Sequence, residues 1–578
     1  MPRFCILSNA LHRGVWRFGL AVCIAVSVTT TTAAAGPPNI LFVMSDDHTT
    51  QAVGAYGGRL AGLNPTPTID AIAAEGIRFE NALCTNSICT PSRASIMTGQ
   101  YAHVNGVLTL SEALPPARQH LAREMSAAGY ETAVIGKWHL KNRPEAFDHY
   151  EVMESQGLYF NPTFWVRDSD EMVPSTGHST DVVTDKALAW LAGRDERGED
   201  RPFFLKLHYK APHDFFESAP RYATYLADTF IPEPPSMYGD PDHGSVATRG
   251  CGDELRALIG TSVSRRHHRR SYAGAFVAPP FVEGYGAVGP DEREAASAAY
   301  QTYLKRYLRC VKGVDDNLAR VVAFLKENGL YDNTVVVYTG DQGMWLGEHD
   351  YQDKRWAYEA SLKMPLVVRG PGVARGVVSN ALVENVDFAP TLLDFAYGEA
   401  GVDTPGYMQG KSFRAIAASG ATPDGWRDAA FYQYWMHFAH HDVPGHLAMR
   451  TNRFKLIFFH GRPLVNPRGW GGAFAQRSPP GWELYDLDAD PGEHRNVIDD
   501  PAYAQNLKRL KARFARLRTE VGADDPERAP DAVTRADMVA LEPWLQRYWD
   551  DTAENRAEAK AISAEARAAV LDDPAARE

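Results

Sequence analysis

The chain is short of cysteine, with six in 578 residues. Cys5 and Cys23 fall in an N-terminal stretch that reads as a leader, which leaves Cys84, Cys89, Cys251 and Cys310. Four thiols in a chain of this length do not make a disulfide scaffold of the kind that staples small secreted domains. A long basic array is also missing, and the formal net charge is -12, which argues against a nucleic-acid partner and confines any polyanion binding to local patches. No internal repeat is present, so a repeat architecture is excluded. The one extended apolar run, Phe18 to Val28, is diluted by Ser, Thr and Val and ends in small residues, so stable membrane insertion is not expected.

That run instead has the layout of an export signal. Arg3, Arg13 and Arg17 precede it, and Ala33, Ala34 and Ala35 offer a small-residue cleavage site before Gly36. Residues 1–35 are therefore read as a signal peptide, and the mature protein as periplasmic or extracellular. Cys23 fits a lipid-attachment site poorly, because Val22 precedes it and apolar residues follow.

The composition, 44% hydrophobic and 23% charged, is that of a globular chain with a large core and a second domain. Short β-branched runs at 39–45, 131–138, 202–209, 334–340 and 364–370 read as buried strands of a parallel sheet. Helical patterns at 68–77, 117–130 (with Gly129 as C-cap) and 295–330 lie between them. This alternation predicts an α/β domain, a large and mostly parallel sheet flanked by helices, over 36–425. From 426 to 548 the runs FYQYWM, RFKLIFFH and WELYDL, followed by a helical segment at 502–522, predict a smaller α+β subdomain on an antiparallel sheet. Residues 549–578 read as a charged helical tail. The stretch 215–294, rich in Pro, Gly and Tyr and carrying RRHHRR at 265–270, reads as a solvated insertion; a lip attracting an acidic substrate is the other reading.

Ligands of open α/β sheets bind beyond the carboxyl ends of the strands. Asp46 and Asp47 follow the first run, and Asp341 and Gln342 follow TVVVYTG. Either pair alone could be a solvated turn, but together they form a hard oxygen set suited to Ca2+ or Mg2+. Lys137 and His139, then Lys210 and His213, follow two further runs, and Lys354 follows the second acidic pair. A metal, lysines and imidazoles on one edge suit a tetrahedral anion with proton transfer nearby. In CTPSRASIMTG (89–99), Ser92 is read as the cap of a helix starting near Arg93, which puts Cys89 just ahead of an anion-favouring N-terminus. Cys89 could be a buried thiol, half of a bridge with Cys84, or a thiolate nucleophile, the last at risk of oxidation outside the cytoplasm.

These residues resemble the type I sulfatase family of the alkaline-phosphatase superfamily. Cys89-Thr90-Pro91-Ser92-Arg93 with Thr98-Gly99 is similar to its C-x-P-S-R signature, and Gly136 to Leu140 (GKWHL) to its second signature. The resemblance implies that a maturation enzyme oxidises Cys89 to Cα-formylglycine. It makes Asp46, Asp47, Asp341 and Gln342 ligands of Ca2+, with residue 89 beside them. It gives Arg93 and Lys137 the hydrated aldehyde, Lys137 and Lys354 the sulfate oxygens, His213 the departing alcohol, and His139 the hydroxyl of residue 89. In the implied reaction one hydroxyl of the aldehyde hydrate attacks sulfur, and the other expels sulfate and restores the aldehyde.

The block 339–372 with KAPH and MQGKSF (408–413) resembles glycan sulfatases, the N-acetylglucosamine-6-sulfatase (mucin-desulfating) group in particular. A 6-O-sulfated GlcNAc or related sugar of a polysaccharide is the implied substrate. The alternatives are another sulfated polysaccharide, a phosphate or phosphonate monoester, and a silent glycan-binding protein. Among His437, His440, His441 and His446, no thiolate or closed ligand pattern supports zinc, and His441 and His446 are expected to contact sugar hydroxyls.

Overall fold

The five apolar runs all form strands and lie side by side in one sheet, four of them parallel. The computed structural model describes residues 36–250, 293–398, 401–439, 441, 443–465 and 477–571. The signal peptide, the RRHHRR run, Cys251 and the last residues of the tail lie outside the described residues. In chain order the strands are β1 (Asn39–Ser45), β2 (Ile77–Leu83), β3 (Glu131–Lys137), β4 (His149–Met153), β5 (Thr163–Val166), β6 (Val173–Pro174), β7 (Phe203–Tyr209), β8 (Thr334–Gly340), β9 (Trp345–Leu346), β10 (Gln352–Asp353), β11 (Leu366–Arg369), β12 (Val377–Glu384), β13 (Ala429–Tyr434), β14 (His446–Thr451), β15 (Phe454–Phe459) and β16 (Gly481–Asp486). Ten of them form a mixed sheet in the order β12-β2-β11-β8-β1-β7-β3-β4-β5-β6.

At its centre β8, β1, β7 and β3 run parallel. They are apolar on both faces because both faces are covered. Along β1, Ile40, Phe42 and Met44 enter one core while Leu41 and Val43 enter another. Tyr303, Tyr307, Val311 and Leu318 of the long helix Arg293–Glu327 cover the second face. Helices Cys89–Thr98, Leu121–Ala127 and Phe388–Tyr397 cover the first. Each fully buried Val, Leu or Phe in these layers contributes roughly 1.5–3 kcal/mol.

Some expectations need correction. The 364–370 run is a strand, but β11 pairs antiparallel with both β8 and β2. The pattern read as one helix over 68–77 holds a helix, Pro67–Ala74, and the first residue of β2. Helix 117–130 shrinks to Leu121–Ala127, with the ring of His120 accepting the Ala122 N–H (3.3 Å) and Gly129 at φ 86° beyond its end. The part of the 215–294 stretch that is described is not solvated throughout. Phe216 packs on Tyr303 and Tyr307, the Ile231 N–H reaches Gln301, and Thr248 donates to Glu483 of β16.

The four-stranded sheet β13-β14-β15-β16 is antiparallel. Its alternation splits two cores: Leu456 and Phe458 meet helices Ala504–Val521 and Ala532–Trp549, whereas Ile457 and Phe459 face the main body. The charged tail carries a helix, Ala553–Leu571. Buried ion pairs add to the seam. Lys455 of β15 reaches Glu359 (2.9 Å) and Glu493 (2.7 Å), and Arg450 of β14 also binds Glu359 (3.2 Å). Lys455→Met takes the cation from the buried carboxylate of Glu493 while Glu359 keeps Arg450, and is expected to lower stability by about 3–5 kcal/mol. Denaturant midpoints of the two proteins read this directly.

Candidate active site

The carboxyl ends of the four central strands carry the candidate residues. Asp46 and Asp47 follow β1, Lys137 ends β3, Lys210 and His213 follow β7, and Asp341 and Gln342 follow β8. Neighbouring parallel strands lie about 4.8 Å apart, so groups distant in sequence meet here. Gly136 permits the approach of β3 to β7: it sits at φ 107°, and a Cβ there would fall 1.9 Å from the His208 carbonyl oxygen. Asp47 and His139 adopt positive φ (64° and 57°), a strained backbone for these residues that is held by the surrounding packing.

Cys89 is the first residue of its helix, not a residue ahead of it. Ile88 is the N-cap, and Ser92 lies inside the first turn. Ser92 does not cap: its hydroxyl donates to the Asp341 carbonyl and receives the Asn385 amide (2.8 Å). The helix start is thus clamped to the end of β8. Its unpaired N–H groups and dipole favour negative charge at residue 89. Cys84, Cys89 and Cys310 are free and buried, so there is no bridge between Cys84 and Cys89. Burial pushes the Cys89 thiol up, against the opposing pull of Lys354, which makes it a poor thiolate nucleophile.

Around Cys89 the charges interlock. Lys137 Nζ donates to Asp46 Oδ2 and to Gln156 Oε1. Lys354 Nζ binds both oxygens of Asp47 (2.7 and 2.5 Å). Arg93 donates to Asp341 Oδ2 (2.9 Å) and to the Lys137 carbonyl (2.7 Å). Gln342 Nε2 donates to Asp47 Oδ1. Burial, outweighing Lys354 and reinforced by Asp341 and Asp353, pushes Asp47 up to about 7. Among the described residues Asp46 Oδ1 and Gln342 Oε1 are buried oxygens without a hydrogen-bond partner, the former 3.7 Å from Arg93 Nη2. Two stranded acceptors beside three carboxylates are what a hard cation would satisfy. Asp46, Asp47, Asp341 and Gln342 therefore fit a divalent metal.

The two expected proton-transfer residues are here. The His213 Nδ1–H donates to the Asp214 carbonyl (2.8 Å), and Nε2 lies 3.7 Å from Asp47 Oδ2. Burial, with the charge of Lys354, holds His213 well below the usual imidazole range; burial, with Lys137 and Arg93, does the same for His139. His139 Nδ1 lies 3.4 Å from Thr90 Oγ1. Burial also lowers Lys210, whose ammonium is 5.0 Å from the Tyr159 ring.

The two C-terminal histidines separate. His441, at φ 70°, faces Asp353 (Nδ1 to Oδ2, 3.6 Å). His446 does not reach a ligand: it is 0% exposed, its Nδ1 bonds the Pro444 carbonyl (2.7 Å), and its Nε2 accepts the Ala357 N–H (3.1 Å). Burial lowers its pKa to about 3. It is a satisfied core histidine among Trp356, Tyr432 and Phe459, so the expected sugar contact is corrected. Three further residues were missed. Gln156 bridges Lys137 and Cys89 (Nε2 to Sγ, 4.0 Å). Asp353 and Arg355, which pair with each other (3.3 Å), flank Lys354 at φ 71° and 85°. Their only sequence signal is a charge on each side of the lysine.

The sulfatase family model matches residues 38–398. The chain belongs to the sulfatase family. As a member of it, this sulfatase is a sulfuric ester hydrolase, and the family uses formylglycine and a divalent metal. A second model, N-sulphoglucosamine sulphohydrolase C-terminal, matches residues 347–467. The sulfatase is 36% identical over 532 residues to an N-acetylglucosamine-6-O-sulfatase of Bacteroides thetaiotaomicron, covering 87% of this chain and 90% of that one. It is similar, at TM-score 0.73 and 33% identity, to a solved structure in complex with its substrate D-glucosamine-2-N,6-O-disulfate, covering 86% of this chain and 100% of that one. It is 27% identical to a multifunctional alkaline phosphatase superfamily protein of Trinickia caryophylli, over 76% of this chain and 86% of that one.

Adding a divalent cation to metal-free protein is expected to raise its thermal midpoint, with about 2.7 kcal/mol of stabilisation at a hundredfold excess over Kd. Asp341→Asn is expected to abolish most of that rise. Differential scanning calorimetry with and without chelator measures it.

Proposed function

We propose that this sulfatase is exported and removes the 6-O-sulfate from a terminal N-acetylglucosamine, or a related glucosamine, of a sulfated polysaccharide. Cys89 as formylglycine and Ca2+ serve the reaction. The observation that carries the reading is a buried wall beside the sulfate-binding lysine. Asp353, Lys354 and Arg355 are consecutive, and His441 closes on Asp353. The lysine meets the sulfate, and the groups beside it meet the sugar hydroxyls, which a carboxylate and a guanidinium hold in a defined orientation. The relatives that act on 6-sulfated glucosamines support the same substrate. The Arg-rich residues 1–35 support export, and none of the described helices is long and apolar enough to cross a membrane.

Formylglycine would supply a paired-hydroxyl nucleophile, and the cation would stabilise charge on the sulfuryl oxygens. The chain's own groups do the rest. Arg93, fixed at both ends by Asp341 and Lys137, holds the nucleophile helix against the cation ligands. Lys137 and Lys354 bring two positive charges to the oxygens of the ester. Those charges, with burial, hold His213 well below the usual imidazole range; an anionic ester opposes them and raises its affinity for the proton it hands to the departing sugar oxygen. His139, neutral and buried, is the base that takes a proton from residue 89.

The reading is tested with chain co-expressed with a formylglycine-generating enzyme, by sulfate release from GlcNAc-6-sulfate, other sulfated sugars and matched phosphates. Release from GlcNAc-6-sulfate that Cys89→Ala abolishes is expected; faster turnover of the phosphates would overturn it. Arg355→Ala is expected to cut kcat/KM on GlcNAc-6-sulfate at least tenfold, about 1.4 kcal/mol, while changing turnover of a small aryl sulfate less than threefold. Equal loss on both would place Arg355 outside the sugar site.

A further inference from the structure

A second cluster lies apart from the sulfate pocket. Asp240 comes from the loop after Pro235–Tyr238, His349 from the turn between β9 and β10, and His494 from the turn after β16. One oxygen of Asp240, Oδ2, lies 2.8 Å from His349 Nδ1 and 2.7 Å from His494 Nδ1. One donor atom from each residue falls within 4.8 Å of the others. Asp240 and His349 are buried, while the His494 side chain is 51% exposed.

The protonation of His349 follows from its other nitrogen. Nε2 is 2.9 Å from the Gly492 carbonyl oxygen, and a carbonyl only accepts, so Nε2 carries hydrogen. In the neutral ring Nδ1 is then a lone pair, facing a carboxylate oxygen at hydrogen-bond distance. Two buried electron-pair donors in contact need a positive centre between them, either a second proton or a metal ion. The pattern around them is that of a metal ligand, since an imidazole that ligates through one nitrogen usually donates the other N–H to a carbonyl or carboxylate. The ring plane is fixed as well. His243 stacks on His349 with centroids 3.8 Å apart and planes 10° from parallel, and its own Nδ1–H is held by the Glu493 carbonyl (2.7 Å). Arg249 donates to the backbone carbonyls of Asp240 and His243, which braces the loop.

We propose that Asp240, His349 and His494 form a second metal site that takes a borderline divalent cation, Zn2+ above all, with its fourth position open to solvent beside His494. Two imidazoles and one carboxylate select zinc over the hard cations suited to the all-oxygen set of the pocket. The site ties the turn that leads into Asp353 and Lys354 to the turn that leaves β16. It therefore fastens the sulfate-binding ribbon to the C-terminal sheet.

The test uses the full mature chain in excess calcium chloride, so that the oxygen site is filled. Zinc chloride is added, the protein is desalted, and retained zinc is read by atomic emission alongside the thermal midpoint. A single zinc ion per chain and a higher midpoint are expected for the wild type and for Asp341→Asn, which is altered only in the pocket. In His494→Ala and Asp240→Asn, zinc affinity is expected to fall roughly tenfold or more and the zinc-induced rise to vanish. His494 is half exposed, so its variant should fold, and a retained calcium-induced rise confirms that it has. No retained zinc, equal retention by His494→Ala, or loss of zinc in Asp341→Asn instead would overturn the proposal, leaving a cluster held by protons alone.

Discussion

Everything at the sheet edge depends on neutralising three buried carboxylates. Asp46 and Asp47 offer oxygens within 4.8 Å of each other, Asp341 Oδ1 accepts the Asp47 N–H (3.1 Å), and an uncompensated charge in such a place costs several kcal/mol. Lys137, Lys354 and Arg93 each answer one of them. The same cations are the groups proposed to meet the sulfate ester. Binding chemistry and structural compensation are therefore one set of charges, and the surplus of oxygen acceptors over donors leaves room for a further cation.

The strand order makes this arrangement cheap in backbone terms. Parallel neighbours present their carboxyl ends together, so four short turns deliver acids, lysines and histidines without long loops. The helix that begins at Cys89 then closes the site from the side, locked by Ser92 and Asn385. Lys354 is different, because it comes from a ribbon and not from the sheet. That ribbon is held by Trp356 and Tyr358 packing against the main body and the C-terminal sheet, which links a strand such as β16 to a lysine in the pocket.

The central sheet was legible because β-branched runs bounded by turns leave little ambiguity, and the candidate site residues because they follow those runs directly. β2 was not legible: Arg78 and Glu80 interrupt its apolar pattern, since one face of that part of the strand is only partly buried. The direction of β11 was not either, as periodicity carries no information on parallel or antiparallel pairing. Ser92 misled because a serine near a helix start usually caps it, whereas here it is needed to bind Asp341. His446 misled in the same way: a histidine near a pocket looks like a ligand until its two nitrogens are found engaged by backbone. Asp353 and Arg355 depend on a turn geometry that no local pattern announces.

All ten residues of the helix Cys89–Thr98 are buried. Any enzyme that reads Cys89 together with Pro91 and Arg93 has no access to them once the sheet, the helix and the Asp341 turn have closed. On the proposed conversion of Cys89 to formylglycine, whether a given molecule can act is then decided during its synthesis or transit, while the chain is still open. A molecule that folds too early keeps a sealed thiol and the full architecture around it, and no later encounter can convert it without unfolding.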